Sequence, residues 1–361
     1  MLSETVLDWI LDRETCFLLG SGASRCAGKP LINDLTAQVA NVVSSNTRDL
    51  LSNLKGAFDR EPTVEDLINY LLRMRDLTAA RRTVDPADWS IEEIDGELKS
   101  IQEAISNAIG RTWQASDVHA SFFRRLLGQK NRSMCDVFTL NYDTLIEATL
   151  EHMGLRYIDG FWGADSGVFD AATFDEKPLA GNTIRLYKLH GSINWHRDDS
   201  GVVRRCPVAS TGNGARLLIY PTQQKYVQTQ YGVYEKLMGR FRDRLRDGRP
   251  NNKLVVLGYS FSDEHINTAI EDGIRLSGGT LTVYAFLGAE KDPSAQIERL
   301  LGIAGRCESR FNALVGQEKF IGEGLEADEW QALKGLDLWQ FENLVKSISG
   351  ADYEPAVVAN S

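Results

Sequence analysis

The sequence predicts an α/β protein built on a parallel sheet, with a helical module set into it. Three observations predict this. Short, nearly continuous apolar runs at 15–19, 136–140, 184–189, 253–257 and 281–286 have the length and composition of strands covered on both faces. Four of these runs end in small or polar residues, as α/β sheets do where they present a site at the carboxyl ends of their strands. Between the first two runs lies a long stretch whose apolar residues recur at helical spacing.

Taken in order, the first strand (15–19) leads through glycines into a helix near 31–43. From about residue 47 to 127 the pattern is helical, as in Val64-Glu-Asp-Leu-Ile-Asn-Tyr-Leu-Leu72 and 91–109, with breaks at Glu61-Pro62 and Asp85-Pro86. Strand character resumes at 136–140, and a helix spans 145–152. The aromatic, Gly-rich segment 157–177 reads as a long loop near the site. Strands follow at 184–189 and 217–220, then a helix at 231–246. The strands 253–257 and 281–286 flank a helix over 263–276. Beyond Asp292 the pattern is mostly helical, and 351–361 reads as a loose tail. The division that results is a sheet domain of residues 1–46 and 128–290, a helical module of 47–127 and a helical extension of 291–361.

Composition narrows the function. The 361 residues are 43% hydrophobic and 25% charged, ordinary values for a soluble globular protein. No apolar run reaches the roughly 20 residues of a membrane span, and the acidic start Met1-Leu-Ser-Glu-Thr-Val-Leu-Asp lacks the basic region of a secretory signal. A cytoplasmic location without membrane attachment is therefore expected. Forty basic against fifty acidic residues give a net charge of −10, which argues against direct, sequence-independent binding of nucleic acid. The Arg-rich stretch Arg240-Phe-Arg-Asp-Arg-Leu-Arg246 reads as a solvated helix face. Five cysteines are scattered without a Cys-x-x-Cys pair, so zinc is not expected, and Cys16 and Cys135 read as core residues.

Four strand ends carry the chemistry. Gly20-Ser-Gly-Ala-Ser24 lies between a strand and a helix, where backbone amides hold a pyrophosphate; position 25 is Arg, so the third glycine of Gly-x-Gly-x-x-Gly is missing. Alone, the loop reads equally well as a tight glycine turn. Phe138-Thr-Leu-Asn-Tyr-Asp143 offers an amide at Asn141 and a carboxylate at Asp143, which would serve equally as a helix cap. Leu186-Tyr-Lys-Leu-His-Gly191 offers the imidazole of His190, with Gly191 allowing close approach of a ligand. In isolation that histidine reads as structural. His119, His152, His196 and His265 show no metal-ligand spacing. Gly258-Tyr-Ser-Phe-Ser-Asp263 repeats the arrangement, with Ser262 or Asp263 as a helix cap. Convergence on one ligand explains four such ends better than four unrelated caps do.

In order, these segments resemble the sirtuin superfamily over roughly residues 14 to 290. Gly20-Ser-Gly-Ala-Ser-Arg-Cys-Ala-Gly-Lys-Pro30 is similar, without a gap, to the sirtuin Gly-Ala-Gly-x-Ser-x-x-Ala-Gly-Ile-Pro loop. Thr139-Leu-Asn-Tyr-Asp143 resembles Thr-Gln-Asn-x-Asp, His190-Gly191 the catalytic His-Gly pair, and Gly258-Tyr-Ser260 the Gly-Thr-Ser segment near the adenosine end. Three features depart from the deacylases. Leu31-Ile-Asn33 replaces Asp-Phe-Arg, only Cys206 stands where a four-cysteine zinc module belongs, and Val283-Tyr-Ala-Phe286 lacks the ribose-holding Asn and acid. Lys188-Leu-His-Gly-Ser-Ile-Asn-Trp195 and Gly258-Tyr-Ser-Phe-Ser-Asp263 are instead similar to bacterial sirtuin-like proteins of antiphage defence, which resemble NAD hydrolases.

The resemblance implies a Rossmann-like sheet of the sirtuin type without a zinc module, using NAD+ as substrate. It implies catalytic roles for Asn141 and His190, and cofactor contacts from Gly20, Ser21, Gly22, Ala23, Ser24, Thr139, Asn141, Asp143, Gly258 and Ser260. It also implies a homo-oligomer gated by assembly or by a partner, a HerA-type DNA-translocating ATPase before an Argonaute. A deacylase or ADP-ribosyltransferase would use the same loop with a protein acceptor, and a non-catalytic NAD or ADP-ribose module would keep the cradle without turnover. An ordinary Rossmann reductase would need neither His190-Gly191 nor the Asn141 amide.

Overall fold

The computed structural model describes residues 4–56, 61–79, 89–110, 114–128, 134–163, 166–177, 182–207, 216–218, 231–290, 293–317, 319–323, 333 and 335–349. Helix α1 (Glu4–Leu11) and strand β1 (Thr15–Leu19) lead through the one-turn α2 (Ser21–Ser24) into α3 (Ile32–Ala40), α4 (Ser45–Asn53), α5 (Val64–Ala79) and α6 (Ile91–Ile109). Next come α7 (Asp117–Leu127), β2 (Met134–Thr139), α8 (Leu145–His152), β3 (Arg156–Ile158), β4 (Phe161–Trp162) and β5 (Gly167–Phe169). β6 (Thr183–Lys188), β7 (Gly191–Arg197), β8 (Val203–Arg205) and β9 (Arg216–Leu218) precede α9 (Tyr231–Arg246) and β10 (Lys253–Leu257). The rest is α10 (Glu264–Leu276), β11 (Thr282–Leu287), α11 (Pro293–Cys307), β12 (Phe311–Val315), β13 (Lys319–Ile321) and α12 (Phe341–Ser349).

Among the described residues eight strands form one sheet in the order β13-β12-β11-β10-β1-β2-β6-β3, and of its pairings only β12–β13 is antiparallel. This is the Rossmann-like α/β sheet the sequence predicts. All five residues of β1 are buried, which explains its unbroken apolar run. Alternate side chains serve opposite layers. Cys16 and Leu18 pack with Leu237, Phe241, Ile270 and Ile303 of α9 to α11, whereas Phe17 and Leu19 pack with Ile10, Phe122 and Leu344 of α1, α7 and α12. Each fully buried Leu or Phe of this kind contributes about 1.5–3 kcal/mol.

The helices between β1 and β2 have a core of their own. Leu35 and Val39 of α3 pack with Leu67, Leu71, Ile94, Ile101 and Ile105 of α5 and α6. α6 starts on a capping box between Ser90 and Glu93, which satisfies two orphan amides at its first turn. Packing thus draws the module's edges at α3 and α6. The expected edges of 47 and 127 differ because helical periodicity shows an apolar stripe without showing what covers it: α3 turns toward the module and α7 toward the sheet.

Other departures have similar causes. The segment expected as a loop, 157–177, contains β3, β4, β5 and a 3-10 turn at Ala171–Asp175. β4 and β5 join a second, antiparallel sheet ordered β4-β5-β8-β7-β9, whose Phe161 and Trp195 enter the main core. Strands of two or three residues are too short to show a period. Beyond Asp292 the main sheet continues through β12 and β13, so it does not end at residue 290. Arg244 is not on a solvated face: it is buried and donates through Nε to Asp136 Oδ2 at 3.0 Å. Arg240 lies nearer the surface and pairs with Asp175. Cys16 and Cys135 are buried, as expected of core residues. The Asp85-Pro86 break, residues 219–220 and the tail at 351–361 lie outside the described residues.

Candidate active site

Register brings the four motifs together. Leu19 pairs with Thr139 on one side and with Leu257 on the other, and Thr139 pairs with Lys188. The parallel neighbours β10, β1, β2 and β6 therefore end at one level, and Gly258, Gly20, Asn141 and His190 leave the same edge of the sheet. From β1 the chain builds outward to β2 and β6, then returns to β10 on the opposite side of β1. That reversal is the crevice where open α/β sheets bind ligands.

The glycines are spent first on each other. A Cβ on Gly20 would lie 2.5 Å from the Gly258 carbonyl oxygen, one on Gly22 2.8 Å from the Gly258 Cα, and one on Gly258 2.5 Å from the Ala23 nitrogen. Gly258 also sits at φ +66°, the left-handed region that favours glycine. The Gly22 amide donates to the Gly258 carbonyl at 3.0 Å, the Gly20 amide to Leu257 at 2.9 Å, and the Ala23 amide to Gly20 at 3.0 Å. The loops after β1 and β10 are thus clamped backbone to backbone, and these three amides are committed to the protein. Ser21 starts α2 beside them, half-buried.

Asn141 ties this clamp to β2. Its Nδ2 donates to the Gly20 carbonyl at 3.0 Å and to Ser24 Oγ at 2.8 Å, which fixes the amide with Oδ1 as the remaining acceptor. The Thr139 hydroxyl donates to the Leu19 carbonyl and accepts from the Asn141 amide, so Thr139 serves the site as a brace. Asp143 is buried, and its Oδ1 accepts from the Leu145 amide at 3.0 Å, from one residue before Thr144, the N-cap of α8. Beneath it, the buried Lys188 donates to the Asp143 carbonyl and to Glu147 Oε1, the latter at 2.8 Å. Burial raises the pKa of Glu147, against the opposing charge and hydrogen bond of Lys188.

His190 is held by a residue the sequence offered only as a helix cap. Its Nε2 lies 3.1 Å from Asp263 Oδ2, with the two side chains 5% and 7% exposed. The other oxygen of Asp263 caps α10, accepting from the His265 amide at 2.8 Å. Tyr259 Oη and Asn267 brace the connecting loop: Tyr259 accepts from the Asp263 amide, and Asn267 Nδ2 donates to the Phe261 carbonyl. Burial opposes the charged imidazole, but the hydrogen bond and charge of Asp263 and the charge of Glu65 outweigh it, so His190 has a raised pKa. Asp263 is lowered: burial opposes its charge, and His190 more than compensates. In the neutral ring the proton sits on Nε2, which leaves Nδ1 as the acceptor. Among the described residues no hydrogen bond reaches Nδ1.

A model of the SIR2-like domain matches residues 136–304. The chain is sirtuin-like over that stretch. The SIR2-like match contains Asn141, Asp143, His190, Gly258, Ser260 and Asp263, and it implies NAD-related chemistry. A search of curated proteins finds no match. The loop Gly20 to Ser24 lies ahead of the SIR2-like stretch in sequence, yet it is locked to Asn141 and Gly258 in the fold. Ser260 is farther out, its hydroxyl donating to Ser262 Oγ at 3.1 Å. A surface depression between α9 and α10, lined by Arg242, Arg246, His265 and Asp272, contains none of these residues. Among the described residues no helix is long and apolar enough to cross a membrane, and no group of three or more His, Cys, Asp and Glu is placed to hold a metal ion.

Proposed function

We propose that the chain hydrolyses NAD+ to nicotinamide and ADP-ribose. One observation carries this reading: the His190–Asp263 pair and the Asn141 amide stand on adjacent strand ends of a sirtuin-like crevice. The Gly20–Ser24 turn, with Gly258 and Ser260, would lie along the pyrophosphate and adenosine. Asp143 would face the nicotinamide end, while Thr139, expected to touch it too, is buried and braces Asn141 from behind. Asn141 Oδ1 orients the attacking water or a ribose hydroxyl.

The bond from the anomeric carbon to the pyridinium nitrogen breaks, and its electron pair neutralises the nicotinamide that departs. Water adds to the oxocarbenium-like sugar and loses a proton to Nδ1 of His190, while Asp263 stabilises the imidazolium. A cationic nicotinamide entering the crevice disfavours protonated His190, so binding frees the base. Because the imidazole must be neutral to accept the proton, and its pKa is raised, turnover should rise with pH through a midpoint above the ordinary histidine value.

The same reading extends to an antiphage role in which NAD+ depletion halts the infected cell. It includes a cytoplasmic homo-oligomer kept inactive until a partner of the HerA ATPase type engages it. The test is NAD+ loss and nicotinamide release by the purified chain, alone and with such a partner, with acetylated peptide as a separate acceptor. His190→Ala and Asn141→Ala should each abolish NAD+ loss and preserve the circular dichroism spectrum. Turnover at the wild-type rate in either variant removes the proposed roles.

A further inference from the structure

The geometry points to Glu65, on the first turn of α5, as the positioning residue through which the helical module acts on His190. This rests on the hydrolase reading for its consequence, though not for its test. Glu65 Oε1 accepts a hydrogen bond of 2.9 Å from the Tyr142 hydroxyl. Tyr142 stands between Asn141 and Asp143, and its ring centroid is 6.3 Å from that of His190. The Tyr142 carbonyl accepts from Ser192 Oγ at 3.2 Å and from the Ile193 amide at 3.0 Å, two and three residues past the imidazole. Tyr142 thus links the module through its phenol and the strand after His190 through its carbonyl.

Glu65 is not needed to start its helix. Asp66 takes that part, accepting from the Thr63 amide at 2.7 Å and from the Thr63 hydroxyl at 2.9 Å. Freed from capping, Glu65 is half-buried at the module's inner edge and turned toward Tyr142. Two carboxylates therefore act on the imidazole: Asp263 by direct contact from α10, and Glu65 by its charge from α5. The other nearby charges act on these two, Asp66 on Glu65 and His265 on Asp263. Burial holds the Glu65 carboxyl above its ordinary pKa, against His190 and the Tyr142 hydrogen bond. When His190 takes up the proton from water, Asp263 stabilises the imidazolium by contact and the Glu65 carboxylate adds to it by its charge, so the module makes the imidazole a stronger base.

The full chain is titrated with the imidazole resonances of His190 followed by NMR. Glu65→Gln keeps an acceptor for the Tyr142 hydroxyl and removes only the charge. The His190 midpoint should fall by about half a pH unit. The acid limb of NAD+ turnover should move down with it, with kcat reduced severalfold and KM little changed. Tyr142→Phe, which releases the carboxylate, should give a smaller shift in the same sense and covers the case in which the glutamine variant fails to fold. A His190 midpoint unmoved in these variants overturns the inference whether or not the chain consumes NAD+. A wild-type chain that leaves NAD+ intact overturns the hydrolase reading, and the imidazole titration still decides the role of Glu65.

Discussion

Asp263 uses one oxygen to cap α10 and the other to hold His190, joining residues 73 positions apart across the ends of β6 and β10. The cap fixes the carboxylate and the carboxylate fixes the ring, so the orientation of the imidazole is set by the start of a helix. Two jobs in one side chain also make them separable by substitution.

Asp263→Asn should split them. Asparagine caps a helix as well as aspartate, so the urea midpoint should change little. The charge that stabilises the imidazolium is lost, and kcat for NAD+ should fall by about a hundredfold or more. Near wild-type kcat in a folded variant would show that Asp263 is only a cap.

Gly258→Ala tests the backbone clamp. The new Cβ would meet the Ala23 nitrogen at 2.5 Å, and the residue would sit at φ +66°. The strained backbone alone costs about 1–3 kcal/mol, and the Gly20 turn must move away. Urea unfolding and NAD+ calorimetry should show a lower midpoint and weaker binding together. Stability lost with affinity intact would dissociate the clamp from the cofactor.

Lys188 and Glu147 form an ion pair with side chains 1% and 3% exposed, directly beneath the Asp143 carbonyl. Lys188→Met strands a buried carboxylate and should cost about 3–5 kcal/mol. Adding Glu147→Gln should recover much of that loss. Equal unfolding midpoints for the single and double variants would show that the pair itself is not what Lys188 stabilises.

His119 is 1% exposed, and burial lowers its pKa to about 4, against a smaller opposing pull from Asp143. Below the ordinary histidine value the unfolded chain binds a proton that the folded chain refuses. Stability is therefore intact at neutral pH and lost as pH falls from about 6.5 toward 4, by about 3 kcal/mol in all. His119→Gln should flatten that part of the stability profile. A variant with the wild-type pH slope would assign the acid loss elsewhere.

Much of the sheet was legible in the sequence because its strands are buried on both faces and written as unbroken apolar runs. The helices that periodicity predicts over 145–152 and 231–246 have the bounds of α8 and α9. The site was half legible. Gly20, Asn141, His190 and Gly258 stand at strand ends, where sequence order and parallel register put them on one edge. Nothing in the sequence ties Glu65 or Asp263 to His190, because the first looks like an ordinary acid in a helix first turn and the second like an ordinary helix cap. What sets them apart is what they face across the fold, and periodicity carries no such information. The glycines misled in the opposite direction: a turn expected to open its amides to a phosphate commits two of them to the end of β10 and a third to its own Gly20 carbonyl.

Tyr142 and Ile193 belong to the hydrophobic core of the helical module, although both lie in the sirtuin-like stretch of the chain. The amide at 141 and the imidazole at 190 are therefore each within three residues of a side chain anchored in that module. Tilting α5 and α6 would drag on both side chains at once. Any force on the outer surface of these helices would therefore reach the crevice from a distance, without entering it.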